Sequence, residues 1–399
     1  MYPLDDFVSE HDPLYVRVLL MECNGQRQAI VLVDMTSLTQ PVIVRMKTVL
    51  SGVAAVAADN IIVNASHSFS TPHIISQTTK TQTVLAAFET VLHSAALLAV
   101  NNLQPARLGS GSGYGRVGVN RNINTPYGWW LGADDKGYTD PHIGVIALGG
   151  EDGKLLAVLL NYAVQPAVMD ASQKEAGGRL VSADLAGAVA RYVERHYDDL
   201  TVAFYLVGCA GDQVPYLQAS RHVVHADGSV GRTDTHEKGF ALLALFGQRL
   251  GDEVTKVLDR ITWKPANIFR LSRHDILLGA QKFSPRNPVT GPVSACHYQL
   301  NGVTPLPVVF IQRGDIVLVG VQPELSAITG AQIRAASPFV QTFVMTMVDG
   351  AAKYLPDVTS YQRLTYEACS SPYAPGAAEV AAQAIINQLK EMWTMPASE

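Results

Sequence analysis

Five short apolar runs, Tyr15 to Met21, Ala29 to Val33, Ile61 to Val63, Leu155 to Leu160 and Val202 to Val207, set the strongest limit on what this chain can become. Each is of strand length, and the longer segments between them carry apolar residues at helical spacing. The alternation predicts an α/β fold, with mixed sheets and flanking helices. The clearest helix runs from Ser182 to Arg195: Leu185, Val189, Tyr192 and Val193 share a face, and Ser182 can cap the first turn. Further helices are expected over 40 to 57, 81 to 100, 238 to 257, 324 to 336 and 376 to 393. Residues 305 to 320, "PLPVVFIQRGDIVLVG", read as two strands joined at Arg313-Gly314-Asp315, so parallel winding alone does not describe the fold. Without repeats, low-complexity tracts or a Pro/Ser-rich linker, one composite domain over 1 to 399 is the simplest organisation.

Composition narrows the classes of function. Only 16% of residues are charged and 48% are hydrophobic, against about 25% charged in an ordinary soluble domain, so a large core is expected. A net charge of −5 without a long basic run leaves no electrostatic footprint for nucleic acid. The start, Met1-Tyr2-Pro3-Leu4-Asp5-Asp6-Phe7, lacks the basic and apolar parts of a signal peptide, and no apolar segment is expected to approach the roughly 18 residues that span a bilayer. A cytoplasmic protein without integral membrane association is the resulting expectation. Cys23, Cys209, Cys296 and Cys369 are scattered, which predicts buried reduced thiols rather than a disulfide framework or a thiolate zinc site.

Several polar stretches follow apolar strands, where α/β proteins tend to bind ligands. "NASHSFSTPH", residues 64 to 73, puts His67 just past Ile61-Ile62-Val63, with hydroxyls near enough to satisfy it and His73 structurally. "GSGSGYGRVG", residues 109 to 118, has glycines but neither the Lys-Ser/Thr nor the helix of a phosphate loop, and reads as a flexible or closely packed loop. Its sequel Asn120-Arg121 offers a guanidinium suited to an oxyanion or a carboxylate. Glu324, in "VGVQPELSAITG", is expected in a first helical turn, and Asp212, in "LVGCAGDQVPY", at a tight turn on the sheet edge.

Taken in order, six segments resemble the catalytic domain of the neutral/alkaline non-lysosomal ceramidases, zinc amidases that cleave an N-acyl bond. They are "NASHSFSTPH", "VNRN", "LLNYAVQPAVM", "VSADLAG", "GCAGDQVPY" and the half from "GVQPELSAITG" through "VDGAAKYLP" to "YQRLTYEACSSPYAPGAAE". In that family zinc is held by two histidines, a glutamate and a tyrosine, and the resemblance carries these positions to His67, Gln165, Glu324 and Tyr354. Arg121 and Tyr366 match an arginine and a tyrosine that polarise the scissile carbonyl.

The departures bear on the chemistry. Gln165 stands where the second zinc histidine is expected, and a neutral amide is a poor zinc ligand. Phe69 replaces a histidine beside the metal-bound water, and Val214-Pro215-Tyr216 replaces Ser-Pro-Asn. The resemblance implies a zinc-assisted hydrolase of an amide or related acyl bond in a small soluble substrate. His67, Glu324 and Tyr354 would activate water there, while Arg121 and Tyr366 steady the oxyanion. The alternative is a metal-free relative that uses Arg121, Tyr366, His73 and Asp184 for acyl transfer, isomerisation or another conversion of a small metabolite.

Overall fold

A computed structural model of the chain describes residues 5–74, 79–264, 268–283, 289–296 and 298–395. Alternate residues of the apolar strands face two different cores, which explains why these runs are continuous rather than alternating. In the strand Gln26–Val33, Ala29, Val31 and Val33 pack toward helices, while Ile30 and Leu32 face an inner core. The same split divides Val158 and Leu160 from Ala157 and Leu159, and Tyr205 and Val207 from Phe204 and Leu206.

The inner core lies between three sheets. One has three strands, including Ile61–Ala65. One has five, including Leu155–Tyr162 and Val202–Val207, and one has four, including Ile316–Val321 and Gln341–Met345. Helices cover the outer faces. Gln40–Ala54 and Thr79–Asn101 cover the first sheet, Asp184–His196 and Gly239–Leu258 the second, and Ala327–Ala336 and Ala377–Thr394 the third. The mixed α/β class is therefore as expected, and the fold is a helix-covered sandwich of sheets. The expected hairpin is present as Tyr298–Arg313 and Ile316–Val321, paired antiparallel.

Four corrections follow from packing. Residues 106–114 form a strand rather than a loop. A Cβ added at Gly109 would sit 2.2 Å from Ile261 and one at Gly111 2.7 Å from Val257, so the absent side chains let the neighbouring chain close on that strand. The helix expected from 324 begins at Ala327, whose N–H donates to Asp212 Oδ1 at 2.8 Å. Glu324 lies outside it, in a two-residue strand paired with Tyr354–Leu355. Cys296 and Cys369 are paired as a disulfide, with Cα atoms 5.4 Å apart, and Cys23 and Cys209 are free; spacing in sequence carries no information about that approach. Finally, Gln82–Asn101, within the helix Thr79–Asn101, is apolar and long enough to cross a membrane by length and composition. Only 17% of it is buried, and its Leu85, Leu92 and Ala96 still pack into the helix-covered core.

Strand carboxyl ends are tied together by buried amides. Asn64 Nδ2 donates to the carbonyls of Thr346 and Met347 at 2.8 and 3.1 Å, joining the first sheet to the third just before His67. Asn161 does the same between Leu206 and Val344. Substituting Asn64→Ala leaves two buried carbonyls short of a donor, and chemical denaturation should register a loss of about 1–3 kcal/mol. A change indistinguishable from zero would show that this link does not hold the sheets together.

Candidate active site

Strand ends deliver the site residues. His67 follows Ile61–Ala65, Gln165 follows Leu155–Tyr162, and Asp212 follows the turn after Val202–Val207. His67 itself has a φ of 64°, a left-handed conformation unfavourable for histidine and typical of functional or over-determined positions. Its Nδ1 lies 2.6 Å from the Thr36 carbonyl, so that nitrogen carries a proton.

On the other side of the ring, Nε2 lies 3.1 Å from Glu324 Oε2, off the line of a hydrogen bond and with no other partner among the described residues. Burial acts to lower the His67 pKa, but the Glu324 carboxylate raises it overall. Burial acts to raise that of Glu324, and His67, Arg121 and Gln165 together lower it. Both directions have the same cause, the closeness of the His67 ring and the Glu324 carboxylate.

From Glu324 the network continues without a gap. Gln165 Nε2 donates to Glu324 Oε2 in a short contact, and Gln165 Oε1 accepts from Arg121 Nη1 at 3.0 Å. Arg121 Nε donates to Glu367 Oε1 at 2.6 Å. Arg121 stands 5.2 Å from the centre of the Tyr354 ring and 5.7 Å from that of Tyr366, within cation–π range. Burial would depress the guanidinium pKa, yet Tyr354, Glu367 and Glu324 lift it well above the ordinary arginine range. The Tyr354 phenol is pushed upward by burial and by the Glu324 charge.

The donor set does not fit zinc. Arg121 holds the Gln165 oxygen, so the amide turns its N–H toward Glu324 and cannot ligate. Tyr354 is engaged with Arg121, a cation already beside the site. What remains is His67 and Glu324, two strong ligands where a catalytic zinc takes three. Among the described residues, no group of three His, Cys, Asp or Glu could hold a metal ion.

Beside this network lies a cavity of about 370 Å3, walled by Phe69, Arg121, Trp130, Gln165, Tyr354 and Tyr366, with Gln218, His222 and Arg232 also on its lining. Neither His67 nor Glu324 belongs to that wall; Phe69, edge-on to the His67 ring at 4.7 Å, does. Among the described residues, two buried N–H donors on wall residues make no well-aligned hydrogen bond, Arg121 Nη2, which has the Tyr354 phenol beside it, and Trp130 Nε1. Arg232 Nη2 is 2.9 Å from His222 Nε2 and 3.0 Å from Asp170 Oδ2. Burial, with Arg232 adding to it, brings the His222 pKa down to about 4, so the ring is neutral at pH 7.

The structure thus gathers His67, Gln165, Glu324, Tyr354, Arg121 and Tyr366 in one place. His73 lies elsewhere, exposed, its backbone N–H bonded to Asp5 at 2.6 Å. Asp184 is buried as a backbone clamp: it accepts from the N–H groups of Val168, Met169 and Leu185 at 2.7–2.9 Å. Burial raises its pKa to about 6 against those three bonds. Glu367, Trp130, His222 and Arg232 were not anticipated. For Glu367 the available signal was its place beside Tyr366; the other three come from strands remote in sequence.

The fold is that of the neutral ceramidases. The crystal structure of neutral ceramidase from Pseudomonas aeruginosa superposes with a TM-score of 0.72 over 98% of this chain and 70% of that one, at 18% identity. A ceramidase complexed with C2 gives 0.70 over 99% and 72%, at 16% identity. No family model and no curated protein matches the sequence. At such identities the likeness establishes architecture, and the chemistry rests on the residues present.

Restoring an imidazole tests the reading of the donor set. Gln165→His supplies a third strong ligand, so elemental analysis should find near-stoichiometric zinc in that variant and only traces in the parent. Equal zinc in both proteins would contradict the role assigned to Gln165.

Proposed function

We propose that the protein is an acyl-bond hydrolase on the ceramidase plan, acting on a small soluble acylated compound, with its carbonyl-polarising half kept and its metal half replaced by hydrogen bonds. The observation that carries this reading is Arg121 Nη2, a buried N–H on the wall of an aromatic cavity that makes no well-aligned hydrogen bond among the described residues and has only the Tyr354 phenol beside the guanidinium. An unsatisfied buried donor costs free energy in the resting protein, and an acceptor oxygen on the substrate would relieve it.

Arg121 is well suited to that task. Glu367 holds Nε and Gln165 holds Nη1, so the guanidinium is oriented before substrate arrives and reorganises little as charge develops on the carbonyl oxygen. Trp130 Nε1, the second free donor on the wall, is available to the same or an adjacent oxygen. The rings of Phe69, Trp130, Tyr354 and Tyr366 offer apolar surface for the remainder of the substrate and exclude water from the polarised bond. Neutral His222 and the Arg232–Asp170 pair add further polar groups to the wall beside Arg121 and Gln165, consistent with a substrate that is polar at more than one point. His67 and Glu324 act through Gln165, by fixing its amide, rather than on substrate. The cavity volume of about 370 Å3 suits an acylated amino acid or a molecule of similar size.

Turnover of a panel of short N-acyl amino acids and acyl esters, followed by release of the free acid, tests this. Arg121→Lys keeps the charge but loses the fork, and kcat/KM should fall about 100-fold or more. Tyr366→Phe tests the other polarising group, with a fall expected in kcat rather than in KM. Incubation with a strong zinc chelator should leave the rate unchanged. Full inhibition by the chelator, restored by added zinc, would overturn the metal-independent reading while leaving the hydrolase reading standing.

A further inference from the structure

A second cavity, sharing no lining residue with the first, opens among the three sheets and has a volume of about 570 Å3. Its wall is built largely from the inner core, with Leu19, Ile30, Ile146, Leu159, Ile311 and Leu318 among the residues that face it. At one end stands Arg313, only 5% exposed, the last residue of the strand Tyr298–Arg313 before its hairpin turn. Nothing in the proposed hydrolase reaction uses this arginine.

Its surroundings are unusual for a buried cation, which is ordinarily paired with an acid. Nη1 donates to the carbonyls of Gln312 and Arg270 at 2.7 and 3.2 Å, Nη2 donates to the Gln28 side-chain oxygen, and the guanidinium lies 3.8 Å from the centre of the Phe269 ring. All these partners are neutral, and Nε, also buried, has none among the described residues. Among the described residues no aspartate or glutamate forms an ion pair with it. Glu22, also on the wall, is taken up by Arg27 at 2.6 Å. Burial pulls the Arg313 pKa down to about 9, with only Cys23 acting in the other direction, so the group stays charged at neutral pH without a counter-ion among the described residues. Arg107, a second cation, lines the same cavity from its exposed side.

We propose that this cavity binds an amphiphile with a single alkyl chain and a carboxylate head, the chain lying along the apolar wall and the head paired with Arg313. Charge and shape support the same occupant. An apolar cavity of this volume with few polar groups is the usual form of a small-ligand site, and a carboxylate would satisfy Nε while supplying the missing countercharge. A neutral chain would leave the arginine unpaired, and a short polar anion would leave the apolar wall wet.

Titration calorimetry with dodecanoate and with dodecan-1-ol, both below their aggregation limits, separates head from chain. The full-length protein should bind dodecanoate at one equivalent and at least about tenfold more tightly than the alcohol. Arg313→Met should abolish that preference, provided its circular dichroism matches the parent. Leu148→Trp keeps Arg313 and fills the cavity, and should weaken both ligands about tenfold or more, so the test survives if Arg313→Met does not fold. Equal binding of acid and alcohol, no binding of either, or binding indifferent to Leu148→Trp would overturn the proposal. Co-sedimentation with phosphatidylglycerol vesicles without dodecanoate binding in solution would also overturn it, by assigning the surface to a bilayer rather than to a free amphiphile.

Discussion

One buried polar line governs what this site can be: hydrogen bonds run from Glu324 through Gln165 and Arg121 to Glu367, and His67 stands against its Glu324 end at 3.1 Å. Basic and acidic groups alternate along it, and pairing of this kind is what allows ionisable groups to be removed from water together. The central member is a neutral amide. Because Gln165 bonds a guanidinium with its oxygen and a carboxylate with its nitrogen, either end reversed would set donor against donor or acceptor against acceptor. That single orientation makes Arg121 a fixed donor toward the cavity, and it also turns an N–H toward the place where an imidazole would otherwise complete a metal shell.

The scaffold supplies the rigidity this requires. His67, Gln165 and Glu324 follow three different strands, Arg121 lies within the strand Gly118–Thr125 and Glu367 within the helix Tyr366–Ser370, and buried side-chain amides, Asn64 and Asn161, lock strand ends across sheets. Asp212 and Asp184 hold the adjoining turns through backbone N–H groups. Both carboxyls have pKa values raised to about 6 by burial, so each sits where loss of solvent outweighs its several hydrogen bonds. The aromatic wall then separates the polar line from solvent. Phe69 is the clearest case, since it lines the cavity while packing edge-on against His67.

Much of this was legible from residues alone. Apolar runs such as Ala29 to Val33 were read as strands from their length, and the structure adds that their alternate residues divide between two cores. The ordered segments from "NASHSFSTPH" to "YQRLTYEACSS" pointed to the fold and to His67, Gln165, Glu324, Tyr354, Arg121 and Tyr366 as one constellation. The remainder depended on distance in space. Nothing in sequence spacing announces that Glu367 holds Arg121, that Cys296 meets Cys369, or that Trp130 and His222 share a wall. His73 and Asp184 show the converse: proximity in sequence to site residues, or a chemically apt side chain, did not bring them to the cavity. Glu324 left the expected helix because Asp212 holds the helix start three residues further on.

The central claim, that Gln165 closes the metal position and orients Arg121, is tested most directly by crystals grown with zinc and measured at its absorption edge. The account predicts no anomalous peak between His67 and Glu324, with the Gln165 amide spanning Glu324 and Arg121. A strong peak there, with Gln165 turned aside and His67 Nε2 bound to the ion, would contradict it.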